Sequence, residues 1–283
     1  NVKGGKPKLI GTDGSEPRFT SEDSRILLMG REKGNSALYS VDLNGQDRRV
    51  LATSKYANRI ILSPQEEWVL FDYRFHIYVA PFSKIGKAIN LGPKTGSVPV
   101  KQLTVGSGFE PHWSDNNTVH WTLGSELFTT DLKDTFTFSP GASDSLPTPK
   151  DSGVELGWIV KSPSPKGVVA ITGAKIITMD GDKVIDNGVI IIENNRIKKV
   201  SSSKTKIPKG AKMVDAYGKT IIPGLIDVHA HMGLEWDGLS SEQNWHYLAN
   251  LAFGVTTTHD PSRDTEMVFA NSELQKSGKI LAP

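Results

Sequence analysis

The sequence has 283 residues, 37% of them hydrophobic, and Lys+Arg 33 against Asp+Glu 31 gives a formal net charge of +2. This length exceeds a typical single domain, so we expect two domains or more. The small charge offers no large basic field for a nucleic-acid backbone, which argues against a nucleic-acid partner. The absence of cysteine excludes disulfides, thiolate metal sites and a cysteine nucleophile. No segment approaches the roughly 20 apolar residues of a membrane span.

Three similar segments recur within residues 1–132 and predict a repeat architecture. The aligned positions are Ser21, Ser63 and Ser114, each followed by an aromatic residue at Tyr39, Tyr78 and Phe128. A period near 40–45 residues, with several short strands and turns, is typical of a β-propeller blade. The segments resemble the TolB-like propeller family, whose blades carry a Ser-Pro-Asp-Gly-type turn, although only Ser63-Pro64 keeps the proline. The alternative is a set of unrelated hairpins in a β-sandwich.

The predicted propeller carries no set of side chains with metal-ligand spacing. Its histidines, His76, His112 and His120, stand beside aromatic or strand residues, which favours structural or surface roles. We therefore expect this part to be a docking or access module rather than a catalyst.

The middle of the chain predicts a linker followed by a small β-domain. Residues 133–167 are rich in Ser, Pro and Gly and have little periodicity. Strands are predicted at Val168–Thr172, Ala174–Thr178, Val184–Ile185, Val189–Glu193, Arg196–Val200, Lys212–Val214 and Thr220–Ile222. Asn194-Asn195 joins two of them, and asparagine tolerates the left-handed backbone that a tight hairpin turn needs.

The segment PGLIDVHAHMG, residues 223–233, places two histidines at the end of an apolar run. On a strand Thr220–Val228 continued through the pair, His229 and His231 point the same way and form a two-point metal clamp. A catalytic ion needs about three protein ligands, so the pair alone does not complete a site. Asp227 lies on the same face, where it either orients a histidine or is a hydrogen-bonded polar core residue. The alternative for the pair is two histidines that hydrogen-bond to backbone.

Strands and helices alternate after the histidine pair. Ser240 with Gln243 predicts a capping box for a helix that ends at Gly254. The further predicted elements are a strand Val255–His259, a helix Asp264–Lys276 and a strand Lys279–Ala282. Parallel strands joined by helices begin a (β/α)₈ barrel. His259 stands near the end of the second strand, where we expect it to line the barrel mouth, and His246 is expected to be structural.

Residues 168–283 resemble the amidohydrolase superfamily, in particular its imidazolonepropionase-like and prolidase-like branch. The resemblance rests on PGLIDVHAHMG and on the β-rich segment that precedes it. It implies that His229 and His231 bind a divalent metal, most often zinc, with one or two ions in the complete protein and manganese or iron as alternatives. It does not make His259 a ligand, because the family commonly has arginine there. The remaining ligands and the catalytic aspartate would follow residue 283.

These observations predict a multidomain chain. Its parts are a partial propeller (1–132), a linker (133–167), a small β-sandwich domain (168–222) and the first βα units of an incomplete TIM barrel (223–283). Only 61 residues follow residue 222, whereas a TIM barrel takes about 250, and three blades are fewer than the roughly four that close a propeller. We expect the chain to be part of something longer, with a remaining barrel segment or an oligomer partner completing the fold.

The expected function is metal-dependent hydrolysis of a carbon–nitrogen bond by a metal-activated water. An amide, a cyclic amide or a dipeptide is the expected substrate class, small molecule or peptide, and this chain alone is expected to be inactive. The alternative is a propeller-based binding protein whose barrel is degenerate and non-catalytic. The TolB-like resemblance implies a periplasmic or secreted protein, with a cytoplasmic location as the alternative.

Overall fold

The computed structural model describes residues 9–11, 13–84, 86–233, 241–261 and 265–283. The chain divides into two compact units, Asn1–Trp158 and Ile159–Pro283. The division falls inside the segment that the sequence predicts as a linker. In the described part of the chain, no helix is both long enough and apolar enough to span a membrane.

The first unit consists of three consecutive sheets. The first contains β1 (Ser15–Phe19), β2 (Arg25–Glu32), β3 (Asn35–Asp42), β4 (Arg49–Ser54) and β8 (Ile89–Leu91), in that order. The second contains β5 (Ile60–Leu62), β6 (Trp68–Tyr73), β7 (His76–Pro81) and β9 (Lys101–Gln102). The third contains β10 (Phe109–Trp113), β11 (Thr118–Leu123), β12 (Glu126–Asp131) and β13 (Val154–Glu155). All neighbouring strands are antiparallel except β4 and β8.

The aligned repeat positions occupy equivalent places in the three sheets. Each serine lies in the turn between the first and second strands of its sheet, and each aromatic residue lies on the third strand. The aromatic residues pair across to the second strand as Leu28 with Tyr39, Phe71 with Tyr78, and Trp121 with Phe128. The sequence repeat therefore corresponds to a structural repeat of four antiparallel strands, to which β8 adds a parallel fifth strand in the first sheet.

The second sheet packs on both of its faces. Successive residues of a strand point to opposite faces, and β6 shows this directly. Phe71 packs in a core cluster with Leu27 and Met29 of the first sheet. Leu70 packs instead with Val119 and Trp121 of the third sheet. Three sheets stacked face to face in this way have the layering of adjacent propeller blades.

One predicted boundary of the first unit is wrong. The segment 133–167 is not only a linker, because β13 lies within it and pairs with β12 as the fourth strand of the third sheet. Gly153, just before β13, approaches the Leu127 carbonyl so closely that a Cβ would lie 2.6 Å from its oxygen. A return strand with so little apolar content gives no periodic signal, which explains why the sequence pattern missed it.

The second unit begins with one sheet. Its strands are β14 (Val168–Ile177), β15 (Val184–Glu193), β16 (Arg196–Ser202), β17 (Lys212–Asp215) and β18 (Thr220–Ile221). The long β14 pairs with β15 on one side and, in succession, with β17 and β18 on the other. The predicted β-sandwich is therefore wrong for the described residues, because a sandwich needs two sheets. β14 is one continuous strand where the sequence predicts two, Val168–Thr172 and Ala174–Thr178. Gly173, at φ +84°, lies between them at a register shift that the strand accommodates without ending.

The hairpin between β15 and β16 has the predicted turn. Glu193 pairs with Arg196, so Asn194 and Asn195 form a two-residue connection. Their φ angles are 50° and 64°, both in the left-handed region that a type I′ turn requires.

The chain then forms β19 (Leu225–Asp227), α1 (Trp245–Ala252), β20 (Val255–Thr258) and α2 (Thr265–Lys276). Strands β19 and β20 are parallel neighbours, as predicted for a crossover unit. The predicted continuous strand Thr220–Val228 is wrong, because β18 joins the preceding sheet while β19 pairs with β20. Pro223 lies between the two strands, and it has no backbone N–H for a ladder.

Two further predictions in this region are corrected. Asn244, not Ser240 with Gln243, caps α1, since its Oδ1 accepts the His246 N–H at 2.8 Å. Ser240 and Asp264 lie outside the described residues. The segment Lys279–Ala282 is not a strand, because the Leu281 N–H donates to the Gln243 side chain at 3.4 Å and makes no ladder bond.

Candidate metal centre

The histidine pair lies in the segment just after β19, not on the strand itself. Ala230 and Met232 are buried, at 3% and 4% exposure. His229 and His231 alternate with them and are exposed. The Ala230 N–H donates to the His259 carbonyl at 2.9 Å. This bond continues the pairing between β19 and β20 past the ends of the two strands. The predicted alternation is therefore kept: two apolar residues anchor the segment and both imidazoles point outward.

The two rings are close enough to share an ion. Their centroids are 5.2 Å apart, and their planes are inclined by 61°. With a metal–nitrogen distance of about 2.0–2.1 Å and a tetrahedral angle, two ligating imidazoles have centroids roughly 5 Å apart. Imidazole suits zinc and other first-row metals. The spacing of the two rings therefore matches that of two imidazoles bound to one divalent ion.

Asp227 hydrogen-bonds to the backbone of the pair. Its Oδ1 accepts the His229 N–H at 3.1 Å, a bond between a carboxylate and a backbone amide two residues later. The side chain is half-buried. In this arrangement Asp227 shapes the bend from which His229 projects. That Asp227 also orients an imidazole stays a prediction.

His259 stands at the end of β20, where the sequence places it. Its Nδ1 lies 3.3 Å from the Val228 carbonyl oxygen. A carbonyl oxygen only accepts, so Nδ1 is the donor of this hydrogen bond. Among the residues that the structure describes, no group of three His, Asp or Glu side chains is placed to hold a metal. His259 thus lies beside the segment of the pair without completing a three-ligand set.

Two polar residues that the sequence reading did not single out hold the segment from either side. Asp260 Oδ2 accepts the Met232 N–H at 3.2 Å. Asn244 Nδ2 donates to the Met232 carbonyl at 3.0 Å while its Oδ1 caps α1. An asparagine just before an apolar helical run is an N-cap signal, so Asn244 was detectable. Asp260 had no comparable signal.

A hollow of about 190 Å³ lies beside Met232 and Asp260. Tyr247 of α1 and Asn271 of α2 contribute to its wall. Burial raises the pKa of the Tyr247 phenol, and the negative charge of Asp260 raises it further. The phenol therefore stays protonated near neutral pH and presents a hydrogen-bond donor.

The first unit contains a second pair of neighbouring histidines. His112 and His120 are directly opposed on β10 and β11, with ring centroids 5.3 Å apart and planes inclined by 25°. The Nδ1 of His112 lies 3.0 Å from the Glu110 carbonyl oxygen, and that of His120 lies 2.7 Å from Thr129 Oγ1. Burial lowers the pKa of His120, and the nearby His112 lowers it further.

Comparison with known proteins gives partial sequence matches. No family model matches the chain. An imidazolonepropionase of Sphingopyxis alaskensis is 28% identical over 120 residues, which cover 39% of this chain and 30% of that protein. A 5-methylthioadenosine/S-adenosylhomocysteine deaminase of Caldicellulosiruptor saccharolyticus is 39% identical over 67 residues, 22% of this chain and 15% of that protein. The chain thus spans less than a third of either relative, and these relatives confirm the predicted resemblance to an amidohydrolase branch.

Two solved structures also resemble parts of the chain. A Xaa-Pro dipeptidase with methionine in its active site is 21% identical, with a TM-score of 0.33, over 41% of this chain and 32% of that one. TolB from Acinetobacter baumannii is 15% identical, with a TM-score of 0.26, over 71% of this chain and 57% of that one.

Proposed function

We propose that the protein is a metal-dependent hydrolase of the amidohydrolase type that cleaves a carbon–nitrogen bond of an amide, a cyclic amide or a dipeptide. One observation carries the proposal: two outward imidazoles, 5.2 Å apart, follow a strand that has a parallel neighbour. The carboxyl ends of parallel strands are where α/β folds bind ligands. The curated relatives are hydrolases that act on carbon–nitrogen bonds, which supports the reaction class.

In this proposal β19, α1, β20 and α2 are the first units of a (β/α)₈ barrel. His229 and His231 supply two ligands to zinc, or to manganese or iron, and further ligands come from outside the described residues. The chemistry that such an ion supplies when bound is the acidification of water and the polarisation of a carbonyl. The chain's own contribution is to hold the two imidazoles outward on a buried apolar anchor. The substrate is a small molecule or peptide, the first unit serves docking or access, and the location is periplasmic or extracellular.

Zinc titration of the purified protein tests the proposal. We expect His229→Ala and His231→Ala each to remove the tightest zinc equivalent while the melting temperature stays near that of the unsubstituted protein, because both rings are exposed. His112→Ala is the matched control, since it disrupts the other pair of neighbouring imidazoles and should leave that equivalent in place. Hydrolysis of N-acyl amino acids, cyclic amides and Xaa-Pro dipeptides is then measured on the same proteins.

The outcomes separate the two functional classes. Zinc retention that depends on both His229 and His231 supports the metal centre, and metal-dependent turnover of any member of the panel by the protein with its complete barrel supports the enzyme. Equal zinc content in all four proteins, or loss only in His112→Ala, contradicts the assignment. It would then favour a binding protein with a non-catalytic second unit.

A further inference from the structure

Met232 follows His231, and both polar groups of its backbone, the N–H and the carbonyl, are hydrogen-bonded. Met232 is 4% exposed, and its side chain packs with Ala230, Tyr247 and Met267 in the apolar cluster under the segment. Asp260, just after β20, accepts its N–H at 3.2 Å. Asn244, at the start of α1, donates to its carbonyl at 3.0 Å. Both polar partners are side chains, and they come from two different elements.

Such bonds matter most where backbone groups are buried. A buried amide or carbonyl without a partner is destabilising, so a loop beside a core favours the conformation that satisfies both groups. On the other side of His231, the Ala230 N–H is bonded to the His259 carbonyl. The Met232 N–H bond holds the peptide unit that follows His231. The Ala230 N–H and the Met232 carbonyl hold the peptide units one residue farther out on either side, so the backbone around His231 is restrained from both directions.

We propose that Asn244 and Asp260 are positioning residues that clamp Met232 and thereby set the geometry of the His229 and His231 pair before an ion binds. This inference rests on the proposed metal site. It assigns no ligand role to either residue: Asn244 is 9% exposed, and one of its side-chain groups is committed to capping α1 and the other to Met232. Loss of supporting contacts around a metal ligand typically lowers metal affinity about 10–100-fold.

The clamp and the cap can be separated by substitution. Asn244→Ser keeps a good N-cap residue and the net charge but loses the amide that donates to Met232. Asp260→Asn keeps an oxygen that accepts the Met232 N–H and removes only the charge, whereas Asp260→Ala removes both. The pair Asp260→Asn and Asp260→Ala therefore distinguishes the hydrogen bond from the electrostatic attraction of a cation.

The experiment is a Zn²⁺ titration of the 283-residue chain followed by the ring ¹⁵N signals of His229 and His231, together with hydrogen exchange of the Met232 amide without metal. We expect Asn244→Ser and Asp260→Ala each to weaken zinc binding about 10-fold. Exchange at Met232 should be faster at least 10-fold in Asp260→Ala, and Asp260→Asn should stay within about threefold of the unsubstituted protein in both measurements. Thermal unfolding identifies any variant that fails to fold. If Asp260→Ala does, the zinc affinity of Asn244→Ser and the protection of the Met232 amide in the unsubstituted chain decide the question.

Three results would overturn the inference. They are unchanged zinc affinity in both Asn244→Ser and Asp260→Ala, equal losses in Asp260→Asn and Asp260→Ala, or a Met232 amide that exchanges as freely as an exposed one in the unsubstituted chain. Failure of the proposed function looks different. In that case zinc leaves the His229 and His231 signals of the unsubstituted chain unchanged, while the exchange data still report whether the clamp exists.

Discussion

Gly224 stands in the motif before the histidines, and its replacement by alanine tests why the motif needs glycine there. A Cβ on Gly224 would lie 1.9 Å from Thr256 Oγ1 and 2.7 Å from Thr256 Cβ. Rotation of the threonine relieves the first contact but not the second, because the backbone fixes Cβ. Ordinary van der Waals contact begins near 3.4 Å. β19 and β20 must therefore separate locally, which threatens the bond from the Leu225 N–H to the Gly254 carbonyl at 2.9 Å.

The cost follows from these contacts. Overpacking costs about 1–3 kcal/mol, and one strained backbone hydrogen bond adds about 0.5–1.5 kcal/mol. Alanine also lowers the conformational entropy of the unfolded chain, which stabilises the folded state by about 0.4–1 kcal/mol. We expect Gly224→Ala to destabilise the second unit by about 1–3 kcal/mol net, measured by urea unfolding with hydrogen exchange of β19 and β20. Thr256→Gly should restore most of this loss in the double variant, whereas Thr256→Ala, which keeps Cβ, should not. An unchanged unfolding midpoint in Gly224→Ala, or equal rescue by both partners, would refute the reasoning.

Three other predictions concern local structure. Gly254→Ala should destabilise the end of α1 by about 1–2 kcal/mol in urea unfolding, because φ at this position is +86°. A Cβ there meets no atom within 4 Å, so the cost is one of backbone conformation and not of packing. A loss below about 0.3 kcal/mol would contradict this cause. The pKa of His120 is lowered first by burial and then by His112, so its NMR titration midpoint should lie below 6.5 and rise in His112→Ala. The pKa of His120 is lower in the folded than in the unfolded state, so its contribution to stability is present above pH 6.5 and is lost as the pH falls through the folded pKa. If the stability of the first unit does not change across this pH range, the lowered pKa is contradicted. Asn195→Gly should raise the melting temperature slightly and Asn195→Val should lower it, because φ is +64°; the reverse order would exclude the type I′ turn.

The repeat and the histidine alternation were predictable because both depend on local periodicity. Ser21, Ser63 and Ser114 lie in equivalent turns, as a repeat requires. The alternation of His229 and His231 with two small or apolar residues survives even though the strand ends at Asp227.

What the sequence could not show depends on long-range contacts. The split between β18 and β19 depends on which distant strand each one meets, β14 or β20. β13 forms because β12 offers an edge, and a strand of only two residues carries no pattern of its own. Asp260 acts on Met232, 28 residues away in the chain, so its hydrogen bond had no local signature.

The most direct test of the metal centre is a crystal of the protein grown with Zn²⁺ and measured at the zinc absorption edge. We expect an anomalous peak about 2.0–2.1 Å from one ring nitrogen of each of His229 and His231. No peak between these two rings, in crystals where zinc occupies His112 and His120 instead, would contradict it.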